Sequence, residues 1–439
     1  MGQTVAPLRH PGFRLLLLGQ LTSNVGDMVY AVALPWYVLA DHGGVLLLGT
    51  VLTAYGVPRT VCIALGGHAS DRWRPWVVML SADAARAVAV IVLAAAAIVG
   101  PPNPWALIPI ALVLGVGEGL FLPGSFSIIP VLLPDADLQA GNALASSGTQ
   151  LATVVGPAIG GVLVGFLGPG PAFGLDGASF AVSALTLAGI WNQRRRVPRR
   201  REVLAATGGL EPLAVPLPVT EAGAASAAGI SPPTLLQMLL SERVLQIIML
   251  INVFANLGLG ALSEVALPDL AHGPFHAGAG GYGALLAVFG AGALIGTLSA
   301  AQAGRPRRPA LIGSWAFLVE CLFMSLIPFL GGSFGAGAAL VVYGGLNGFG
   351  NIMTITAFQR WAPPELLGRL MGLLLLTSFG VFPVSVALGA LGVHHFGPSP
   401  IFPLAGAVSG AAILFALSQR RWREFGATTA GAEAEPKPL

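Results

Sequence analysis

The sequence predicts an all-α integral membrane protein with twelve transmembrane helices, arranged as two pseudo-symmetric six-helix bundles. The first observation is composition, because 55% of the 439 residues are hydrophobic and only 9% are charged, whereas soluble domains are about 25% charged. The second is that apolar runs of about twenty residues, long enough to cross a hydrocarbon core, recur along the chain. The third is that the basic residues lie between these runs or at their ends, with two exceptions.

The apolar runs place the helices in chain order. They cover residues 13–39, 45–69, 76–100, 105–132, 139–167, 171–191, 243–270, 281–302, 309–331, 335–360, 368–395 and 399–418. We therefore expect an N-terminal bundle (1–191), a basic and flexible cytoplasmic linker (192–242), a C-terminal bundle (243–420) and a disordered cytoplasmic tail (421–439). Glycine and proline are frequent, but transmembrane helices tolerate both.

The positive charges predict the orientation. If successive helices alternate in direction, every Lys and Arg except Arg59 and Arg86 falls on one side of the membrane. Cytoplasmic loops retain positive charge, so we expect a multi-pass protein of the bacterial inner membrane with both termini in the cytoplasm. The linker arginines either contact anionic lipid headgroups or only set this topology.

The two halves resemble copies of one unit. Four landmarks recur at a separation of 229 positions, namely Arg14 and Arg243, Gly67 and Gly296, Pro134 and Pro363, and Gly160 and Gly389. Each pair falls at an equivalent place in its half. A duplicated six-helix unit predicts a substrate site near the membrane midplane, between the halves.

The loop after the second helix carries the sequence GHASDRWR, residues 67–74. It is similar to the G-x-x-x-D-R-x-x-R pattern of the major facilitator superfamily, although the last arginine comes one place early. The likeness covers roughly residues 9–420 and is greatest to bacterial exporters of the enterobactin and macrolide type. It implies a cytoplasmic gate in which Asp71 binds the start of helix 11. The gate residues are then Gly67, Asp71, Arg72, Arg74, Asp83, Arg86, Gly368 and Arg369.

Two alternatives to this gate stay open. The loop can be an ordinary solvated, inside-positive segment. Asp83 and Arg86, three residues apart on one face of helix 3, can form a structural ion pair, which we favour slightly over a gating role.

A second motif lies in helix 5, where Gly156, Pro157, Gly160 and Gly161 form a G-P-x-x-G-G element. It resembles an element associated with antiporters of the superfamily and so implies export. Proline removes a backbone hydrogen bond, and glycines permit close helix contact. The alternative is ordinary small-residue packing.

Ionisable residues at membrane depth are costly and therefore indicate function. The four candidates are Asp27, Glu118, Glu264 and Glu320. The family lines its cavity with helices 1, 4, 7 and 10, which favours the first three, and we rank Asp27 first. Burial favours a protonated carboxylate, which can then exchange a proton for a cationic substrate.

Two further residues bear on this coupling site. Arg59 lies at about the depth of Asp27, and an ion pair between them would make Asp27 mainly structural. Asn256 occupies the position of Asp27 in the second repeat. It keeps hydrogen-bonding capacity but has no charge.

These features predict a monomeric secondary active transporter that exports a small drug-like or siderophore-like molecule by alternating access. We expect the proton motive force to drive it, with protons and substrate as its partners besides membrane lipid, and with no cofactor, metal or nucleic acid. An importer or facilitator is the first alternative, and a non-transporting scaffold or sensor is another. An ATP-driven enzyme is excluded because Lys437, the only lysine, lies in no phosphate-binding loop.

Overall fold

The computed structural model describes residues 5–40, 43–72, 75–195, 239–303, 306–362 and 364–425. Within these ranges the secondary structure is helical, and no strand occurs. The long helices are α1 (Pro11–Ala40), α2 (Gly44–Arg72), α3 (Pro75–Val99), α4 (Pro104–Leu132), α5 (Asp135–Leu167), α6 (Pro169–Arg195), α7 (Arg243–His272), α8 (Gly278–Gln302), α9 (Pro309–Phe329), α10 (Ser333–Trp361), α11 (Pro364–Phe396) and α12 (Ile401–Ser418).

Helix boundaries follow from local sequence. Asn103 caps α4 by accepting a hydrogen bond from the backbone nitrogen of Trp105 at 3.0 Å, and Pro104 at the first helical position needs no donor. Gly168 ends α5 with a φ of 82°, a conformation that favours glycine. Pro169 then begins α6 directly, so these two helices are joined by a tight turn.

Eleven helices, α2 to α12, are long and apolar enough to cross a membrane. α1 is also long, at 30 residues, but Gln20, Asn24 and Asp27 lower its hydropathy. Asn24 and Asp27 line an internal cavity, so lipid does not have to accommodate them. The predicted all-α fold with twelve long helices is confirmed.

The two bundles repeat one packing scheme. In the first, α1 packs on α5 and α6, α2 on α4, and α3 on α4 and α6; in the second, α7 packs on α11 and α12, α8 on α10, and α9 on α10 and α12. The bundles meet along α5 with α8 and along α2 with α11. These two interfaces are also equivalent under the repeat, which explains the pseudo-symmetry.

The hydrophobic core is shared at one end of the molecule and divided at the other. One cluster joins both bundles through residues such as Val32 on α1, Val265 on α7 and Val386 on α11. Toward the ends that carry the arginines, each bundle has its own cluster, around Phe13 in the first and Phe358 in the second. The bundles are therefore held together mainly at the end away from the arginines.

Two predicted boundaries need correction. α6 continues through Arg195, beyond the predicted end at residue 191. The tail does not begin at 421, because a short helix, Arg420–Arg423, places Trp422 in the core of the second bundle. The indole nitrogen of Trp422 donates to Ser314 Oγ at 2.9 Å, and this buried bond explains why the chain stays packed. Most of the predicted linker, 196–238, and residues 426–439 lie outside the described residues.

Candidate functional site

A cavity of about 320 Å³ lies between the bundles, and we call it the interbundle cavity. α1, α2, α4, α5 and α6 form most of its wall, while α7 and α11 each contribute one residue from the other bundle. Its ionisable lining is Asp27, Arg59, Arg86, Glu118, Asp176 and Glu264. Four of the five residues predicted for the coupling site therefore come together. Asn256 does not, because it lines a different cavity.

Glu118 on α4 is held by two side chains of α2. Arg59 Nη2 lies 2.6 Å from Glu118 Oε1, and the Tyr55 hydroxyl donates to Glu118 Oε2. The Arg59 guanidinium also lies over the Phe379 ring, 4.1 Å from its centroid. Arg59 is thus committed to Glu118, and the ion pair considered between Arg59 and Asp27 does not form.

Asp27 makes no hydrogen bond and no ion pair within 4.0 Å among the described residues. Asp176 on α6 faces the same cavity and is only 1% exposed. Among the residues that the structure describes, the Ser179 hydroxyl is the one hydrogen-bond donor to this carboxylate, at 3.4 Å. Gly26 lets the α1 backbone approach this carboxylate, since a side chain there would collide with Asp176 and Ser179.

The sequence analysis missed Asp176. A usable signal existed, because this residue is an acid within the apolar run 171–191, where a charge is costly.

Glu264 reaches the cavity from the second bundle. It lies in a π-helical segment of α7, Leu262–Ala266, and the Ser263 hydroxyl approaches its Oε1 at 3.5 Å. π-helical segments are rare and are frequent at functional sites. Both bundles therefore contribute ionisable side chains to the cavity.

Asp83 and Arg86, considered either as gate residues or as a structural ion pair, lie inside the first bundle. They are 0% and 3% exposed and form an ion pair. The Ser183 hydroxyl donates to Asp83, and the Arg86 guanidinium lies between the rings of Phe121 and Phe180. Arg86 thus forms part of the cavity wall with its charge already compensated.

The rest of the predicted gate is only partly described. The surroundings of several gate residues lie outside what the structure describes. These residues are Gly67, Asp71 and Arg72 at the end of α2, Arg74 after it, and Gly368. Arg369 is exposed near the start of α11. The gate stays a prediction.

The glycine element of α5 packs against two helices. Gly156 and Gly160 contact α1. Gly161 faces α8 across the bundle interface, where an added Cβ would lie 3.1 Å from Gly283 Cα and from Ala279 O. Pro157 is buried beside them, and its carbonyl oxygen abuts Gly283. The element therefore sets the distance between the bundles.

The charge balance of the interbundle cavity is acidic. Arg59 compensates Glu118, and Arg86 compensates Asp83 behind the wall. Asp27, Asp176 and Glu264 have no ion-pair partner within 4.0 Å among the described residues. Uncompensated carboxylates at membrane depth favour a proton or a positively charged ligand.

A second cavity, of about 400 Å³, lies within the second bundle, and we call it the C-bundle cavity. α7, α9, α10, α11 and α12 line it. It contains Asn256 and also Glu320, which sequence reasoning had ranked below the other carboxylates.

Comparisons with known proteins agree with this architecture. A family model described as Major Facilitator Superfamily matches residues 16–374. An uncharacterised MFS-type transporter, y4rN of Sinorhizobium fredii, is 26% identical over 420 residues, covering 93% of this chain and 95% of the relative. The enterobactin exporter EntS of Salmonella typhimurium is 25% identical and covers 83% and 81%.

Among solved structures, a POT family transporter in complex with a thioalcohol-conjugated peptide superposes with a TM-score of 0.70. The two chains share 15% identity, and the match covers 93% of this chain and 95% of that transporter. This likeness shows a common fold. Together with the family model, it establishes that the chain belongs to the major facilitator superfamily of membrane transporters.

Proposed function

We propose that this protein exports a small drug-like or siderophore-like molecule from the cytoplasm in exchange for protons, by alternating access. The observation that carries this proposal is the set of three carboxylates, Asp27, Asp176 and Glu264, that face the interbundle cavity with no ion-pair partner in the described part of the chain. A secondary transporter needs a group that binds its coupling ion and its substrate in turn.

The cavity chemistry supports proton exchange. A charged carboxylate without a partner in a low-dielectric site is expensive, so a proton or a cation stabilises it. A proton and a cation cannot both bind one carboxylate tightly, so each displaces the other. This competition is the physical requirement for antiport, and it favours a cationic or neutral substrate over an anionic one.

The closed side of the cavity is compatible with export. Trp36 on α1 meets His272 on α7 with ring centroids 5.2 Å apart, and Gly49 on α2 packs against Ala390 on α11. Both contacts lie at the helix ends away from the arginines. If those arginines face the cytoplasm, as the positive-inside rule indicates, the cavity is closed toward the outside, as it is when an exporter loads its substrate and when an importer releases it.

The relatives support the same direction. EntS, which matches most of the chain, is named as an enterobactin exporter. An importer or facilitator on this fold is the main alternative, and a scaffold without transport is the other. Transport measurements separate the three.

The experiment uses everted membrane vesicles energised with an acidic lumen and supplied with a panel of ethidium, a macrolide and a catecholate siderophore. We expect gradient-dependent uptake of at least one compound by the native chain and its loss in Asp27→Asn. Glu424→Gln is the matched control, because it neutralises an exposed carboxylate 2.8 Å from Arg420 and far from the cavity.

Each outcome has a defined meaning when folded protein levels are equal. Uptake that persists after the gradient collapses would indicate a facilitator, and absence of uptake of every compound would contradict this substrate range. Uptake retained in Asp27→Asn but lost in Asp176→Asn or Glu264→Gln would move the coupling role to that residue.

A further inference from the structure

The C-bundle cavity is a repeat-related counterpart of the interbundle cavity. Several lining positions correspond at a separation of 229 residues: Asn256 to Asp27, Asn347 to Glu118, Ser378 to Thr149 and Tyr343 to Leu114. Amides have replaced the two acids. Its single carboxylate, Glu320, has Ile91 as its counterpart, and that side chain faces outward with 50% exposure. The second bundle therefore carries an acid that the first lacks at this place.

The polar groups of this cavity form a network with a defined direction. Four asparagine amide nitrogens donate to protein oxygens: Asn252 to Leu374 O at 3.2 Å, Asn256 to Asn252 O at 2.8 Å, Asn347 to Glu320 Oε1 at 2.9 Å, and Asn351 to Asn347 O at 3.0 Å. Backbone carbonyls and carboxylates accept hydrogen bonds, so these partners fix the orientation of each amide.

The fixed orientation leaves acceptors facing the cavity. Glu320 Oε2 is buried and has no hydrogen-bond partner in the described part of the chain. The side-chain oxygens of Asn256 and Asn351 accept no hydrogen bond from the described residues. A buried, unpaired carboxylate oxygen is costly, and the missing partner must be a donor.

Aromatic side chains complete the lining. The cavity wall includes Phe317, Tyr343, Phe358 and Trp422, and none of its described lining residues is a Lys, Arg or His. Aromatic faces attract cations and accept the apolar part of a ligand. A volume of about 400 Å³ lies in the range of small-molecule sites.

We infer that the C-bundle cavity is a second ligand site, which binds the ammonium group of an amphipathic organic amine against Glu320 and its apolar body among the aromatic rings. The site is separate from the interbundle cavity. It does not depend on the proposed direction of transport or on its coupling.

The test is equilibrium binding of monodansylcadaverine, a fluorescent primary amine, to the purified full-length chain in detergent. N-acetylated monodansylcadaverine, which has the same body without the positive charge, is the matched ligand. Glu320→Gln removes the charge but retains an oxygen that accepts from Asn347. Glu320→Asp keeps the charge on a shorter side chain, and Asp27→Asn removes one carboxylate of the interbundle cavity.

We expect saturable binding of the amine and weak binding of its acetylated form. Glu320→Gln should weaken a binding phase by about tenfold or more, the effect of losing a charge-assisted hydrogen bond. Glu320→Asp should lose less, and Asp27→Asn should leave this phase unchanged. A second phase lost only in Asp27→Asn would report the interbundle cavity and would leave the inference intact.

Three results would overturn the inference. They are absence of binding to the native chain, equal binding of the acetylated ligand, and native affinity in a folded Glu320→Gln variant. Folding is checked by the thermal unfolding midpoint of each variant, so a misfolded protein is recognised. If Glu320→Gln misfolds, Glu320→Asp decides. Weaker amine binding by the folded Glu320→Asp variant supports the site, and native affinity contradicts it.

Discussion

Removing the Asp83 carboxylate should strongly destabilise the first bundle, because it leaves the Arg86 guanidinium buried without its anion. The two residues are 0% and 3% exposed, so water can replace the lost partner only poorly. Breaking one side of a buried ion pair costs about 3–5 kcal/mol. For Asp83→Asn we expect the thermal unfolding midpoint to fall by something on the order of 10 °C.

The chain offers its own reporter for this measurement. Its two cysteines, Cys62 and Cys321, lie within α2 and α9 and are half-buried and buried. A dye that fluoresces on reacting with thiols therefore reports unfolding without any added label. The double variant Asp83→Asn/Arg86→Met removes both charges, and it should recover most of the stability that Asp83→Asn loses.

Two outcomes would refute this reasoning. If Asp83→Asn melts within about 2 °C of the native chain, which corresponds to less than about 1 kcal/mol, the pair is not the buried structural element described above. If the double variant is as unstable as the single one, the loss comes from the hydrogen bond with Ser183 and not from the charge on Arg86.

Two other predictions concern the bundle interface and the orientation. Gly161→Ala should impair transport and cost about 1–3 kcal/mol by overpacking, because the added Cβ would lie 3.1 Å from the α8 backbone. The control Gly165→Ala should be tolerated, because its nearest neighbour would be 3.7 Å away. Equal effects of the two variants in transport and thiol-dye assays would contradict this. His395 and Arg307 are both exposed, and they lie on opposite sides of the predicted membrane. His395→Cys should therefore react with a membrane-impermeant maleimide in intact cells, and Arg307→Cys should react only in everted vesicles. Reversed labelling would place the arginines outside.

Much of the fold could be predicted because apolar length and charge asymmetry are physical requirements of crossing a membrane. α1 shows the limit of hydropathy as a signal. Its polar residues lower the hydropathy of the helix, but neighbouring helices shield them from lipid. The packing of Trp422 was missed for a related reason. A short segment after the last span carries no periodic signal, and its buried hydrogen bond with Ser314 is visible only in three dimensions.

The candidate site was only partly predictable. Depth, which can be counted along a helix, identified four acids within the membrane. The family resemblance then favoured Asp27, Glu118 and Glu264 through the helices that line the cavity, and these three residues line one cavity. Pairing could not be counted in that way. Whether Arg59 pairs with Asp27 or Glu118 depends on which helix face each occupies and on how α1, α2 and α4 rotate against one another.

The repeat register predicted the wrong cavity for Asn256. Equivalence in sequence places it opposite Asp27, but it lines the equivalent cavity of its own bundle and not the shared one. The pseudo-symmetry therefore relates two separate cavities, and the repeat-related residues Asn256 and Asp27 do not share one.

The contact between α5 and α8 has a consequence for how readily the two bundles can separate. Gly161 and Gly283 meet through backbone atoms, so few side chains interlock there. In lipid, such contacts are held by van der Waals forces without a large hydrophobic penalty for separation. The equilibrium between closed and open states can then lie within a few kcal/mol of balance, where the preference of one bound ligand for one state is enough to reverse it.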